Sequence, residues 1–577
     1  MSGEERIDYL VVGGGPAGIQ AAYFLERAGR DYLLVEAGEA PGTFFTKFPR
    51  HRTMISINKV HTGWDDPELK LRTDWNSLLS EGNHPLFTAV TPRYFPQADD
   101  FVRYLGDFAR THRVRIRGNT RITRISRLPA GDGSPRGDFE ATTEDGTVLR
   151  AGRLIMATGV SRPYVPPIDG AELAERYDEV SVDPADFTGK RVLIIGRGNS
   201  AFETADNLVE TAAVIHVAGP GSLKLAWQTH FVGHLRAVNN NFLDTYQLKS
   251  QNALLDGEIV RITRDEADGG YRVAVNFLRV EEVVKEIRYD RVILATGFRF
   301  DASVFAEECR PELTIKDRFP AQTDAWESVN VPDVYFAGTI TQVRDFKKST
   351  SGFIHGFRYA VRALHRILEQ RYHGTPWPRR DLDGEPEAVA DAVMERINRT
   401  SALWQMFGFL CDAVVVSGTG ATGYYEEVPV DHLHQVAGDG AFGAADRYLT
   451  VTLEYGEDHD KLNPFDISAG RLSQQTATGL DGRYLHPVVR VFQDGKPVAE
   501  HHLTENLENE WDSADVHRAP LVRFLAAQLA PGSPAPGTSE SGSAGTRPAP
   551  GTSRPPAPRQ AAPEHPDFPE DAAADPS

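Results

Sequence analysis

Over the first half of the chain, apolar residues come in short continuous runs, several of them leading into glycine. The run Ile7 to Val12 reads as a buried strand and stops at Gly13-Gly14-Gly15-Pro16-Ala17-Gly18. A helical pattern from Ala17 to Ala28 and a second strand, Tyr32 to Val35, follow. Thr120 to Ser126 and Phe139 to Thr143 alternate apolar and polar positions, Asp145-Gly146 marks a hairpin, and the strand Arg153 to Met156 delivers Ala157-Thr158-Gly159.

The order then repeats. Arg191 to Ile195 leads into Gly196-Arg197-Gly198-Asn199-Ser200-Ala201, a helix from Ser200 to Glu210 and a strand from Ala213 to Val217. A meander over Ile259 to Thr263 and Tyr271 to Phe277 precedes Arg291 to Leu294, which ends in Ala295-Thr296-Gly297. This predicts an internal duplication of a βαβ unit carrying an inserted meander. Val334 to Gly338 then reads as a buried strand, and Gly352 to Gln370 as a helix with Phe353, Phe357, Ala360, Val361, Leu364 and Leu368 on its apolar face. Thr375 to Asp383 reads as a linker.

The expected fold class is therefore α/β, with two Rossmann-like dinucleotide-binding domains and a C-terminal β-rich region. The boundaries are 1–165 with 290–380 for the first domain, 166–289 for the second, and 381–530 for an α+β region closed by a helix from Pro520 to Leu529. Residues 531–577 are Pro, Ala, Gly and Ser with few large apolar residues, a composition expected to stay disordered.

At 577 residues the chain is long enough for two or three domains. Its formal net charge of -19 argues against nucleic acid or an anionic membrane as the main partner. There is no basic-then-apolar N-terminal stretch and no apolar run of about 18 residues, so a soluble, cytoplasmic protein is expected. The cysteines are two, Cys309 and Cys411, with no C-x-x-C, which removes a dithiol redox pair. His432 with His434, and His501 with His502, lack companions at metal-ligand spacing, so no metal is expected.

The chemistry rests on the two glycine turns. Gly13 permits the tight turn, Gly15 lets backbone approach a pyrophosphate, and Gly18 allows close helix–strand packing, with Pro16 and Ala17 opening the helix toward the phosphates. Glu36 ends the second strand, where a carboxylate binds ribose hydroxyls. In the second turn Gly196, Gly198, Asn199 and Ser200 stand in the corresponding places, with Ala201 replacing the third glycine. Its second strand ends in Val217-Ala218-Gly219 without an acid, which leans to NADPH over NADH. Arg197 or Lys224 is a candidate to meet a 2′-phosphate, Lys224 being otherwise a solvated surface lysine.

These motifs resemble the two-dinucleotide flavoproteins, and within them the flavin-containing and N-hydroxylating monooxygenases. Phe187-Thr188-Gly189-Lys190-Arg191-Val192 before the second turn and Ala295-Thr296-Gly297-Phe298 carry that likeness. The Phe-x-Gly-x-x-x-His motif of that group is not recognisable between Pro163 and Phe187. A further likeness is to the FAD-dependent oxidoreductase domain-containing flavoproteins of the endoplasmic reticulum and their bacterial relatives. It rests on Lys47 to Arg52, Ile55 to Lys59, Leu225 to Leu248, Asp345 to Tyr359, Leu485 to Val488 and Glu510-Trp511.

The resemblance implies FAD at the first turn and NAD(P)H at the second. It also implies a monooxygenase that uses O2, through a flavin C4a-hydroperoxide, on a small amine or amino acid in specialised metabolism. N-hydroxylation is the expected reaction, oxidation of aspartate to nitrosuccinate is one form of it, and a homo-oligomer is left open. A flavin reductase or oxidase with another acceptor, or a partner-binding flavoprotein, are the competing readings. On this basis Ala157, Thr158, Gly159, Thr296, Gly338, Gly352 and Phe353 join the cofactor set, with His355 beside them or simply packed. Asn58 and Lys59 are the expected catalytic pair, Asn58 otherwise forming a turn. Arg52 is a candidate for a substrate carboxylate or an ordinary surface arginine. Trp227, Gln228, His230 and Arg236 either line the cleft or pack between domains.

Overall fold

The computed structural model describes residues 6–529 except 83, 132–134, 278–282, 417–421, 438–441, 443–446, 458 and 473–478. The expected tail, 531–577, lies outside them.

Strands β1 (Arg6–Val12), β2 (Tyr32–Val35) and β3 (Ile116–Arg117) form the parallel half of the first sheet. Strands β4 (Ile122–Arg127), β5 (Phe139–Thr143) and β6 (Val148–Met156) form an antiparallel meander, and the end of β6 returns parallel to β1. The continuous apolar character of β1 follows from burial on both faces: Tyr9, Leu10 and Val11 are wholly buried. Helix α1 (Pro16–Arg27) starts with proline, whose missing N–H costs nothing there.

The second sheet repeats the plan with one change. It runs in the order β12-β11-β10-β9-β8-β13-β7. These are β7 (Glu175–Arg176), β8 (Arg191–Ile195), β9 (Val214–Gly219), β10 (Ala253–Arg264), β11 (Tyr271–Phe277), β12 (Val283–Tyr289) and β13 (Arg291–Leu294). Helix α2 (Asn199–Leu208) joins β8 to β9. In the first sheet the strand shared between the parallel half and the meander is the meander's exit strand, β6. In the second it is the entry strand, β10, which pairs with β9 and then with β11. The duplication is thus of the βαβ core, and the meander is hung differently.

β14 (Val334–Phe336) returns to the first sheet beside β6. Helix α3 (Ile354–His373) then packs against α1, burying Phe357, Tyr359, Ala360, Val361, Leu364 and Leu368. The expected linker instead holds β15 (Arg379–Leu382), an edge strand paired with β17 (Thr422–Pro429). Its Arg-Arg-Asp-Leu sequence is polar because an edge strand needs only backbone pairing. β15 and β17 belong to an antiparallel sheet completed by β16 (Leu410–Val416), β18 (Arg447–Glu454), β19 (His486–Gln493) and β20 (Lys496–His502).

Helices α4 (Pro386–Arg399) and α5 (Ala519–Leu529) pack together beside it. A buried charge network fastens this sheet to α3. Arg396 donates to Asp412 at 2.8 Å, and Arg362 donates to Glu427 at 2.6 Å. Burial opposes ionisation of Glu427, yet Arg362, Arg366 and Arg396 hold its carboxyl down to about 2.

Candidate functional site

At the first turn Gly13 has φ +108, and a Cβ there would meet the Ala157 carbonyl at 2.7 Å. A Cβ on Gly18 would lie 1.9 Å from the Gly13 carbonyl oxygen. Gly15 faces open space, and as N-cap of α1 it offers no side chain to the helix N-terminus. Gly338, at the end of β14, sits against Ala17. Ala157 donates to the Val12 carbonyl at 2.8 Å, setting Ala157-Thr158-Gly159 beside the turn.

Glu36 is 9% exposed. Its carboxylate accepts from Gly14 N–H at 2.6 Å and Gly38 N–H at 2.9 Å, so its orientation is fixed. An uncapped helix dipole, a turn open at Gly15 and a braced carboxylate one strand away fit a dinucleotide.

The second turn has the same geometry. Gly196 has φ +135, and a Cβ on it would lie 2.1 Å from the Ala295 carbonyl oxygen; Gly198 faces open space, and α2 is uncapped. Ala201 is wholly buried in the place of the third glycine. Thr296 donates to the Tyr164 carbonyl. Asn199 is a staple. Its amide donates to the His234 carbonyl at 2.9 Å, and its oxygen accepts from Arg236 N–H at 3.0 Å and Asn239 at 3.2 Å. Arg197 is held by the Gly221 and Leu255 carbonyls and by Asp256, while Lys224 is exposed.

Both turns open onto one cavity of about 790 Å³. Gly13, Gly15, Pro16, Ala17, Glu36, Ala157, Thr158, Gly159, Gly338, Gly352 and Phe353 line it from the first unit, and Asn199 and Ser200 from the second. Gly18, Gly196, Gly198 and Ala201 are not among its lining residues. Thr296 lines a small adjoining cleft.

The expected catalytic residues are not brought to this cavity. The Asn58 amide donates to the Thr91 and Arg93 carbonyls at 2.8 and 3.2 Å and braces its own loop. Lys59 is exposed. Arg52 donates through Nη2 to the Phe45 carbonyl and to Asp99, both at 2.6 Å, and is not among the residues that line the cavity.

Other polar groups stand in their place. Glu203, one turn beyond Asn199 on α2 and so on the same face, lines the cavity and accepts the Tyr177 hydroxyl. Burial pushes the Glu203 carboxyl up to about 7, against the pull of Tyr177 and Arg50. The i, i+4 spacing from Asn199 was the available signal for Glu203; Tyr177 had none. His355 lines the cavity with both ring nitrogens unpartnered, and burial drives its pKa well down, so the imidazole is neutral. Its ring stacks on Trp75 at 4.2 Å. Trp75 is positioned from α3: the wholly buried Arg358 donates to the carbonyls of Leu71, Asp74 and Ser77. Trp227 and His230 lie against the C-terminal region, with Trp227 5.2 Å from Phe465 and His230 bonded to the Leu462 carbonyl at 3.0 Å. Among the described residues no cluster of His, Cys, Asp or Glu could hold a metal, and no helix is long and apolar enough to cross a membrane.

Two dinucleotide turns opening on one cleft define a two-dinucleotide flavoprotein oxidoreductase. The chain belongs to the pyridine nucleotide-disulphide oxidoreductase family, which matches residues 10–338. It is 38% identical over 557 residues to "FAD-dependent oxidoreductase domain-containing protein 2" of Mus musculus, spanning 90% of this chain and 83% of that protein. The protein of the same name from Danio rerio is 36% identical over 578 residues, with 90% and 82% covered. A ferredoxin–NADP reductase of Salinispora tropica is 26% identical over 342 residues, 58% of this chain and 87% of that one. FAD and NADP(H) are the cofactors of this family, and the two turns fit them.

Proposed function

We propose that the protein is a FAD- and NADPH-dependent monooxygenase of a small nucleophilic substrate, with N-hydroxylation of an amine or amino acid as its reaction. In such a reaction NADPH supplies two electrons, one oxygen atom of O2 enters the N–O bond, and the other leaves as water. Residues 1–165 with 290–380 hold FAD through the first turn and Glu36, and residues 166–289 hold NADPH through the second. The region 381–530 packs against the segment after the second turn through Phe465 and Leu462.

One observation carries the reading. Both turns meet in a single cavity, while both thiols of the chain are buried outside it. Burial pushes Cys309 up to about 11 and Cys411 well up, so neither is a thiolate that accepts electrons at neutral pH. The likeness to a ferredoxin–NADP reductase favours a second reading, a reductase with an external acceptor.

The test is a balance of products. NADPH consumption, H2O2 release and incorporation of ¹⁸O from ¹⁸O2 are followed with a panel of amines and amino acids. The monooxygenase reading expects one member to suppress H2O2 and accumulate labelled product. Stoichiometric H2O2 with every member, or electron transfer to added ferredoxin in its place, overturns it.

A further inference from the structure

Three cations line the cavity. Lys47 lies 3.7 Å from Asp178, and Arg121 lies 3.9 Å from Glu144. Arg236 differs. No acid pairs with its guanidinium among the described residues, and the charged or titratable group that acts on it is Tyr94. Its backbone is pinned to Asn199, so the side chain starts from a fixed point. The guanidinium lies 5.3 Å over the ring of Trp75, which Arg358 holds in place. Desolvation without a counter-ion lowers the pKa of Arg236.

His355 sits on the same Trp75 ring, 2% exposed, with Nδ1 and Nε2 both unpartnered. The charges acting on it are Arg358 and Arg236, both positive. Buried polar groups are nearly always hydrogen-bonded, so the unpaired imidazole marks a place for a ligand, and the half-buried guanidinium on the same Trp75 platform stands beside it without a counter-ion. That ligand is anionic and planar at one end, because a guanidinium fork matches a carboxylate or a phosphate oxygen pair.

We propose that Arg236 is the receptor for the carboxylate of the substrate, with Trp75 as its platform and His355 as the neutral polar contact for the rest of the molecule. The substrate class is thereby a small amino acid and not a simple amine. This rests on the monooxygenase reading for what happens next, but the binding claim stands by itself. It moves the carboxylate role from Arg52, whose guanidinium is already paired with Asp99, to an arginine 184 positions later.

The experiment is calorimetric titration of the FAD-loaded protein, anaerobically and with NADP+ present, using carboxylate-bearing probes and their decarboxylated counterparts. The pairs are L-lysine with cadaverine and L-ornithine with putrescine; L-aspartate and L-glutamate complete the acidic side. At least one carboxylate probe is expected to bind about 30- to 100-fold more tightly to the native protein than to Arg236→Gln, the loss of a charge-assisted pair. Arg236→Lys, which keeps the charge without the fork, is expected between the two, and bound FAD is expected unchanged in both. The decarboxylated amines are expected to be indifferent to the substitution.

The proposal is overturned if no carboxylate probe binds, if acid and amine bind alike, or if Arg236→Gln leaves carboxylate affinity unchanged. It is also overturned if the substitution weakens NADPH alone, which would assign the guanidinium to a cofactor phosphate. Arg236-dependent binding without any ¹⁸O product would uphold the site and sink the monooxygenase reading; labelled product from cadaverine or putrescine, at native rate in Arg236→Gln, would do the reverse.

Discussion

Replacing Glu203 with Gln should change how stability depends on pH. The Glu203 carboxyl, 8% exposed, is raised from 4.5 to about 7, mainly by burial. Below about pH 4.5 folded and unfolded chains both hold the proton, and the group's contribution is complete. As pH rises toward 7 the unfolded chain releases the proton while the folded one keeps it, so the contribution is lost through that window. At 1.36 kcal/mol per unit, a shift of this size corresponds to roughly 3 kcal/mol in all, of which about 2.5 falls between pH 5 and pH 8. Glutamine titrates nowhere, and its amide oxygen still accepts the Tyr177 hydroxyl. The variant should therefore gain on the native protein as pH rises. Thermal unfolding of the FAD-loaded proteins reads this directly. The gap in Tm should widen in favour of Glu203→Gln by roughly 5–10 °C from pH 5 to pH 8 for a cooperative unit of 150–250 residues. A gap that stays constant, or that widens the other way, would show that Glu203 ionises normally in its pocket and refute the reasoning.

Gly18→Ala should purify without the yellow cofactor, because its Cβ would lie 1.9 Å from the Gly13 carbonyl oxygen; the ratio of visible to ultraviolet absorbance reports it. Native protein should leave both thiols unreacted with a thiol-specific dye, and the Cys309→Ala, Cys411→Ala double variant should oxidise NADPH at the native rate, since both sulfurs are buried and protonated. Arg396→Met strands the wholly buried Asp412 and should cost about 3–5 kcal/mol in denaturant unfolding, with FAD content unchanged in the surviving folded protein. Asn199→Ala removes the acceptor that pins Arg236 and Asn239, so KM for NADPH and carboxylate affinity should both worsen, while FAD binding holds.

The geometry of the glycine turns was legible because its signals are local. A positive φ, a close approach to the neighbouring strand and a carboxylate at the end of β2 are each dictated within a few residues, as Gly13, Gly18 and Glu36 show. The rest of the cavity was not legible because its geometry is assembled from afar. Trp75 owes its place to Arg358, more than 280 positions away, and the Tyr177–Glu203 pair joins a loop to a helix. Asn58 lies off the cavity wall for a related reason. A buried amide next to two free carbonyls satisfies them first, and the Thr91 and Arg93 carbonyls took its N–H groups. The polar strand at Arg379–Leu382 carries no apolar alternation, so backbone pairing made a strand where the pattern showed a linker.

The family name speaks of disulphides, and this chain shows what remains of the architecture when they are absent. Electrons arriving from the nicotinamide side need an exit. The thiols lie in separate buried clusters, Cys309 under the first sheet and Cys411 in the C-terminal core, so neither offers one. What the cavity offers is a neutral histidine, an acid that keeps its proton to about pH 7, and a guanidinium without a counter-ion. None of these is redox-active; all three suit holding a small polar molecule, and the acid, which releases its proton near pH 7, can exchange one with it. Two are tied to the nicotinamide turn itself, Glu203 on α2 and Arg236 through Asn199. On the proposed reading, the element that binds the reductant also presents the substrate contacts, so a displacement of one moves the other. That linkage favours an acceptor that enters the cavity over one that docks outside it.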